Sequence, residues 1–423
     1  MSATGPEHLD WITPERAFAS FRLQDGSLLL QGGQRSQSRL YALAIEYLTL
    51  WPGDDPDRFL DRARTALAAG CQLAGLFDYE FGTVLEPTLA PAHKGFPLVR
   101  LGVYPAWAVF DPAEQRLTLH GSEAGRARLR TGLHIGRAPA KAASGQVQPG
   151  WPREAYLAAC QTLIDHIRAG DIYQANLSQG FKGHLDGDPW RVFLRLITQS
   201  DAPHAAWFRP TRDHVVITNS PERFLKLEAG RVESRPIKGT RPRRADPDAD
   251  RAEADALSVS GKDRAENLMI VDLVRHDLSR VCAPGSIRVP RLNAVESYAN
   301  VHHLVSTVEG RLRAGKDALD LITAAFPPGS ITGAPKIRAM QLIAEAEQDR
   351  RGSYCGALGW IGEGGQAMDL NVMIRTLDLT RSDAGWDVSA RSGGAITIES
   401  DPVAEYEETL HKLSALQAAL EID

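Results

Sequence analysis

The chain has 423 residues, 43% of them hydrophobic and 24% charged, which is typical of folded globular proteins and argues against a disordered or collagen-like chain. Its 48 basic and 53 acidic side chains give a net charge of −5, so the basic excess of a nucleic-acid binder is missing. Four scattered cysteines argue against a thiolate zinc site and fit a reducing compartment. No apolar run approaches the ~20 residues of a membrane-spanning helix. We therefore expect a cytoplasmic protein with neither nucleic acid nor membrane as a partner.

The N-terminal part, residues 1–135, is predicted to be a β-rich half of the protein. A helix-like segment over 57–70 ends at Gly70, as a C-terminal cap would. A Gly-, Pro-, Ala- and Ser-rich stretch over 136–150 has no apolar periodicity and predicts a linker. The strand-like segments before it are 27–31, 74–81 and 106–111.

Residues 151–423 mix strands and helices without a regular alternation, which favours an α+β fold or a layered α/β sandwich over a barrel. The predicted helices are 151–170, 261–281, 334–348 and 401–423. The predicted strands are 171–181, a succession over 214–240 and a hairpin over 356–379.

The closing helix carries the first candidate for chemistry. Glu405, Glu408 and Lys412 follow at i, i+3 and i+7 and therefore share one helix face. The small residues at 392–395, just before this helix, would let backbone N–H groups approach an anion closely. The alternative for the helix is an ordinary exposed charged face.

Glu266 is a second acidic candidate, in the early turns of the helix over 261–281. Carboxylates from two distant helices are the hard oxygen ligands that Mg²⁺ prefers, with water or substrate oxygens completing its shell. The alternative is an acidic helix start that the helix dipole favours.

A lysine between stiff neighbours is the candidate nucleophile. Lys238 stands next to Gly239 and between Pro236 and Pro242, and its amine would have to lose its proton through burial or through neighbouring cations. The alternative is a basic loop that binds an anion without reacting. Glu222 lies 16 residues earlier, where an adjacent strand could bring it to Lys238 as a proton donor or acceptor, or where it could simply end a strand.

Two further segments complete the candidates. The run over 326–343 places Thr332 and several small residues before a helix, which predicts either an anion cradle or a capped helix start, and it is not a P-loop. His302 and His303 would point to opposite faces of a strand, so at most one should face a site. Together these groups describe a pocket for a small polyanion with a divalent cation.

Nine blocks then occur in a fixed order between residues 151 and 423, and in that order they resemble the chorismate-utilising enzymes. They are SPERFL, RPIKGTRPR, KDRAENLMIVDLVRHDL, VHHLVS, FPPGSITGAPK, YCGALGW, MDLNVMIRTL, SGGAITIESDP and EYEETLHK. The resemblance implies two β-sheets packed face to face with helices around the outside. It also implies a reaction on chorismate, a dicarboxylate, with Mg²⁺ as cofactor.

The resemblance assigns roles residue by residue. Glu266 and Glu408 fall where the family binds the metal, with Glu405 beside them, and His303 falls where a histidine faces the reacting ring. The positions where the family holds the substrate carboxylates correspond to Thr332, Tyr354, Arg375, Gly393, Gly394, Ala395 and Lys412.

Two positions sort the branches of the family. Members that add water to chorismate carry a lysine base where this chain has Gln174, and anthranilate synthases read PIAGT where this chain reads PIKGT. The resemblance therefore implies the aminodeoxychorismate synthase branch, with Lys238 as nucleophile and Glu222 as general acid. An anthranilate synthase component I, or a non-catalytic chorismate-binding partner of a glutaminase, are the alternatives.

The resemblance also implies a partner. The chain has no GxCxG nucleophile elbow, so ammonia would come from a separate glutamine amidotransferase subunit. Related enzymes often bind tryptophan through an N-terminal Leu-Leu-Glu/Asp-Ser stretch, and here Gln31 and Gly32 stand at the acidic and serine places. The N-terminal half is therefore expected either to be a regulatory tryptophan region or to carry an exposed polar turn.

Overall fold

The computed structural model describes residues 5–33, 36–90, 94–133 and 140–421. In this part of the chain the strands are β1 (Glu7–Leu9), β2 (Ser27–Gln31), β3 (Ser38–Tyr41), β4 (Glu46–Leu50), β5 (Gln72–Phe77), β6 (Val99–Tyr104), β7 (Ala106–Asp111), β8 (Arg116–Gly121), β9 (Ala143–Pro149), β10 (Gln174–Gly187), β11 (His204–Thr211), β12 (His214–Ser220), β13 (Arg223–Glu228), β14 (Arg231–Arg235), β15 (Ile237–Pro242), β16 (Arg288–Ser297), β17 (Val301–Arg311), β18 (Gly333–Ala334), β19 (Ala357–Gly362), β20 (Ala367–Val372), β21 (Thr376–Ser382) and β22 (Gly385–Ile396). The helices are α1 (Pro14–Phe18), α2 (Pro56–Ala68), α3 (Gly82–Leu85), α4 (Glu123–Leu133), α5 (Arg153–Arg168), α6 (Pro189–Gln199), α7 (Pro247–Val259), α8 (Gly261–Ser279), α9 (Ala318–Ala325), α10 (Lys336–Glu347) and α11 (Pro402–Leu420).

Two antiparallel sheets form the frame. The first has the order β1-β8-β7-β3-β2-β11-β12-β21-β22-β10-β18, with β9 also paired to β10. The second has the order β15-β17-β14-β13-β20-β19-β5-β6-β4, with β16 also paired to β17. Leu28 and Val216 of the first sheet share one buried cluster with Leu76 and Leu358 of the second. The sheets therefore pack face to face, as the resemblance implied.

Helices cover the outer faces of both sheets. Apolar side chains of α8 and α9 pack on the second sheet, and those of α6 and α11 pack on the first. α5 and α10 pack beside α11 over β10. The layered sandwich with outer helices is confirmed. Within the described ranges, no helix is long and apolar enough to cross a membrane.

The helices that carry candidate residues begin where capping residues allow it. The Ser260 hydroxyl accepts a hydrogen bond from the Asp263 amide at 3.3 Å and starts α8. Asp401 accepts one from the Ala404 amide at 2.9 Å and starts α11. Both predicted helices are confirmed to within a few residues at their ends.

The segment expected as a linker over 136–150 differs from that expectation where it is described. Ala143–Pro149 forms β9, with Ala143 opposite Gly187 and Pro149 opposite Phe181 of β10. Ala143 and Val147 are buried, so a small-residue sequence without helical periodicity serves here as an edge strand. Residues 136–139 lie outside the described residues.

The two predicted halves are interleaved. The N-terminal strands β1–β3, β7 and β8 join the first sheet, and β4–β6 join the second. The predicted hairpin over 356–379 is β19 paired with β20, while the continuation, β21, crosses to the first sheet. Arg375, with φ of 52°, lies at this crossing between the sheets.

Candidate active site

A bulge in β15 positions Lys238. β15 pairs antiparallel with β17, and the register shifts between Lys238, which lies opposite Leu304, and Thr240, which lies opposite His303. Gly239 between them has φ of 73°, and a β-carbon there would lie 2.8 Å from Leu257. Only glycine satisfies both the left-handed backbone and the close approach.

The Lys238 amine is buried, with 9% of the residue exposed. It donates a hydrogen bond to the Ser330 carbonyl oxygen at 3.0 Å. Burial lowers the pKa of Lys238, although the nearby carboxylates of Glu266 and Glu222 oppose this effect. Burial therefore acts towards the neutral form of the amine, which is the form that a nucleophile needs.

Glu222 lies between β12 and β13, and 4% of the residue is exposed. Burial raises the pKa of Glu222 to about 7, although the Ser330 hydroxyl and the Lys238 amine favour the ionised form. Glu222 and Ser330 also line one small internal cavity of about 10 Å³. A carboxyl group with this pKa can donate a proton near neutral pH.

Three carboxylates from two helices lie near the end of β22. A β-carbon on Gly394 would lie 2.9 Å from Oε2 of Glu405 and 3.3 Å from Oε1 of Glu408, so both carboxylates approach this glycine. Glu266 of α8 is close enough for Glu408 to raise its pKa. Lys412 pairs with Glu408 at 2.6 Å and donates to the Gly393 carbonyl at 2.9 Å.

The pKa values of these carboxylates shift in different directions. Burial raises the pKa of Glu266, although Lys238 and Lys262 oppose the effect, and burial raises the pKa of Glu405 against a hydrogen bond from Ser400. Burial acts in the same direction on Glu408, but Lys412 outweighs it and lowers the pKa.

These residues fit a divalent cation in one respect. Among the described residues, no group of three or more His, Cys, Asp or Glu side chains is arranged as a complete metal site. The carboxylates beside Gly394 are nevertheless hard oxygen donors, and the missing β-carbon leaves space beside them. An ion bound here would take two or three protein oxygens and leave other positions to substrate or water.

The predicted carboxylate-binding residues come from several elements. Thr332 follows a single turn at Gly329–Ile331, is fully buried, and accepts a hydrogen bond from the Asn176 amide at 2.7 Å. Gly393–Ala395 of β22 pairs with Asn176–Ser178 of β10. Tyr354 is buried, with its ring 5.9 Å from the Arg351 guanidinium.

Arg375 supplies a cationic side chain near His303. In the part of the chain that the structure describes, no hydrogen bond or ion pair engages its half-buried guanidinium, and burial lowers the pKa of Arg375. Arg375 also lies close enough to His303 to lower the pKa of that imidazole. An unpaired cation at this depth is suited to an anionic ligand.

The two histidines lie on opposite faces, as predicted. His302 contacts Ser297 through Nδ1 at 2.8 Å and Asp250 through Nε2 at 3.0 Å. His303 contacts Thr240 through Nδ1 at 2.9 Å, while its buried Nε2 has no hydrogen-bond partner among the described residues. Burial, helped by Arg375, lowers the pKa of His303 to about 4, so the ring is neutral at physiological pH.

Gln174 occupies the start of β10 and is fully buried. Neither end of its amide finds a hydrogen-bond partner within the described ranges. The side chain is uncharged, so no base is available at this position to deprotonate water.

The sequence analysis did not single out Ser330 or Arg351. Ser330 stands inside the block FPPGSITGAPK, and its contacts with Lys238 and Glu222 depend on a fold that brings β15 to this loop. Arg351 precedes the block YCGALGW, and the carbonyls that it contacts, those of Ile331 and Asn176, lie 20 and 175 positions away in the chain.

The chain matches a known protein family over most of its length. A family model described as chorismate binding enzyme covers residues 25–418, and so extends well into the N-terminal half. Aminodeoxychorismate synthase component 1 of Salmonella typhimurium is 41% identical over 382 residues, which cover 89% of this chain and 81% of that protein. Anthranilate synthase component 1 of Thermus thermophilus is 38% identical and covers 79% and 74%.

Solved structures share the fold. Anthranilate synthase component I from Streptococcus pneumoniae superposes with a TM-score of 0.79 at 26% identity, covering 90% of this chain and 92% of that chain. The menaquinone-specific isochorismate synthase of Escherichia coli has a TM-score of 0.78 at 16% identity, covering 99% and 96%, which shows the fold alone. With this frame and the family match over residues 25–418, the chain belongs to the chorismate-binding enzyme family.

Proposed function

We propose that this chain is the chorismate-converting component of an aminodeoxychorismate synthase. The observation that carries the proposal is the buried Lys238 amine, which shares Ser330 with the buried carboxyl group of Glu222. Relatives of that name at 38–41% identity over most of the chain support it. Anthranilate synthases are similarly related, so the choice between the two activities depends on Lys238.

In the first step, the neutral Lys238 nitrogen attacks C2 of chorismate and both ring double bonds shift, C1=C2 to C1=C6 and C5=C6 to C4=C5, so that the C4–O bond breaks. The C4 hydroxyl leaves as water after Glu222 donates its proton to it. The amine loses one hydrogen, so the adduct is a secondary amine that contains chorismate less one water. One difficult allylic substitution is thereby divided into two easier steps.

In the second step, ammonia attacks C4 of the adduct and loses a proton, both double bonds shift back to their original positions, and the C2–N bond to Lys238 breaks. The electron pair returns to Lys238, which regains a proton, and the product is 4-amino-4-deoxychorismate. The pyruvyl group stays on the ring. This product is a precursor of 4-aminobenzoate, which places the enzyme in folate biosynthesis.

The remaining residues bind and orient the substrate. Arg375 and Lys412 provide cationic side chains for the carboxylates, Thr332, Tyr354 and the Gly393–Ala395 backbone border the same region, and neutral His303 faces the ring. Glu266 and Glu408 would hold Mg²⁺, with Glu405 beside them. The ion would supply charge stabilisation to the substrate when bound.

The ammonia is expected from a separate glutamine amidotransferase subunit. The relatives carry the designation component 1, which supports a second component. Four buried free cysteines fit a reducing, cytoplasmic setting.

The test is product analysis. The purified chain is given chorismate, Mg²⁺ and an ammonium salt, and the products are separated by liquid chromatography with mass detection. We expect 4-amino-4-deoxychorismate and no released pyruvate. Fluorescent anthranilate with pyruvate would contradict the proposal and favour the second candidate, anthranilate synthase, which the Thermus relative supports. Glutamine in place of ammonium should give no product without the partner subunit.

A further inference from the structure

We propose that Arg351 is a positioning residue that holds the carboxylate-binding side of the site in shape. The inference rests on the proposed function, because it assigns a role in binding the substrate chorismate. It concerns a buried triad, defined here as Glu347, Arg351 and Arg391, that lies behind the site and touches none of the reacting atoms.

Arg351 is fully engaged in the interior. Only 1% of its side chain is exposed, and its guanidinium pairs with Glu347 at 2.6 Å. One terminal nitrogen donates to the Ile331 carbonyl at 3.0 Å, and the other donates to the Asn176 carbonyl at 2.5 Å. The planar fork of arginine can serve a carboxylate and two carbonyls together, which a lysine cannot.

The two carbonyls belong to the walls of the proposed substrate site. Ile331 immediately precedes Thr332, and the Thr332 carbonyl accepts from the Asn176 amide at 2.7 Å. Asn176 in turn lies opposite Ala395 in the ladder between β10 and β22. Tyr354 faces the same guanidinium. One buried side chain therefore connects four positions that surround the carboxylate-binding region.

The other two members fix Arg351 itself. Glu347 accepts from the Ser178 amide and from the Ser178 hydroxyl, each at 2.8 Å. Arg391 donates to Glu347 at 3.0 Å and to the Ser178 carbonyl at 3.2 Å. Two arginines therefore share the buried carboxylate of Glu347, and Glu80 accepts a further hydrogen bond from the Arg351 amide at 2.7 Å.

A buried ion pair does not by itself indicate a gain in folding stability, since proteins often tolerate its replacement by apolar side chains. The contacts of Arg351 with the walls of the proposed site indicate instead that the triad positions those walls. The positioning role predicts a defect in substrate binding that stability does not explain.

The experiment measures the Kd for chorismate by calorimetry in a Lys238→Ala background, where no adduct forms, and measures kcat, KM and the melting temperature in chains that keep Lys238. Arg351→Lys keeps the charge but cannot reach both carbonyls. We expect Kd and KM to rise together by about tenfold or more, with a much smaller change in kcat, because the chemical groups stay in place. Arg351→Met removes the guanidinium entirely and should show the same weakened binding, while Glu347 keeps Arg391 and Ser178 as partners.

Arg350→Lys is the matched control. Arg350 is the neighbouring residue, its guanidinium lies 3.9 Å from the Phe96 ring, and its ion-pair partner is Asp78. The control should leave Kd unchanged.

A lowered melting temperature with wild-type Kd in Arg351→Lys would overturn the inference, because it would show a purely structural role. Failure of both Arg351 variants to fold would overturn it in the same way. If the wild-type chain binds no chorismate, the proposed function fails first, and that result is distinguishable because it precedes any comparison of variants.

Discussion

Lys238 and Glu222 meet at one residue, Ser330. The Lys238 amine donates a hydrogen bond to the Ser330 carbonyl oxygen at 3.0 Å, and the Ser330 hydroxyl forms a hydrogen bond with the Glu222 carboxyl group. The proposed nucleophile and the proposed acid are therefore held by the same loop, in which Ile331 and the proposed substrate-binding residue Thr332 come next.

The raised pKa of Glu222 predicts a pH effect. An acid must be protonated to donate, so the rate of adduct formation should fall as the pH rises through about 7. Glu222→Gln should lower that rate by about 10²–10⁴-fold and remove the falling limb, leaving the rise due to Lys238 deprotonation. The measurement uses chorismate without ammonia, so that the ionisation of ammonium plays no part. A falling limb that survives in the variant would assign the acid elsewhere.

Gly394→Ala tests the carboxylate cluster. The added methyl would lie 2.9 Å from Glu405 and 3.3 Å from Glu408, so it should displace both. We expect the Mg²⁺ concentration for half-maximal activity to rise by about tenfold. In Gly180→Ala, a methyl meets nothing closer than 3.6 Å, and this control should behave as wild type. An unchanged Mg²⁺ requirement in Gly394→Ala would argue against metal binding at this position.

Arg375→Met tests the unpaired guanidinium. Burying a cation without a partner costs free energy, so the apolar variant should be more stable than wild type, by about 1 kcal/mol. The same change should weaken chorismate binding by about tenfold or more, because a charge-assisted contact is lost. Thermal melts and calorimetry measure the two effects. A variant that is less stable, or that binds chorismate normally, would show that Arg375 serves the fold.

His303 and its neighbour provide an internal comparison. Among the described residues, Nε2 of the neutral His303 ring has no hydrogen-bond partner, whereas both nitrogens of His302 are engaged by Ser297 and Asp250. We expect His303→Ala to lower kcat by about tenfold or more with little loss of stability. His302→Ala should lower the melting temperature, since it removes a buried ring together with its contacts to Ser297 and Asp250. The reverse pattern would exchange the two roles.

The sequence predicted those parts of the site that are local in the chain. The faces of α8 and α11 follow from helical spacing and caps, so Glu266, Glu405 and Glu408 could be placed on helices correctly. The alternation of His302 and His303 follows from strand geometry. The resemblance added Tyr354 and Arg375, which residue spacing alone had not indicated.

Other features depend on contacts between distant segments. The bond from Arg351 to Asn176 spans 175 positions in the chain, and the bond from Lys238 to Ser330 spans 92. A pattern within one short segment of the sequence cannot predict contacts between residues so far apart in the chain. The edge strand β9 was missed for a related reason, since its Gly- and Ala-rich sequence becomes a strand only because β10 lies beside it.

The central claim is a covalent bond between Lys238 and the substrate ring, and intact-protein mass spectrometry after incubation with chorismate and Mg²⁺, without ammonia, tests it most directly. We predict a mass increase equal to chorismate less one water, located on Lys238 by peptide mapping, absent from Lys238→Ala, and lost again when ammonium is added. A wild-type protein that converts chorismate and ammonia to product but never carries this added mass would contradict the account.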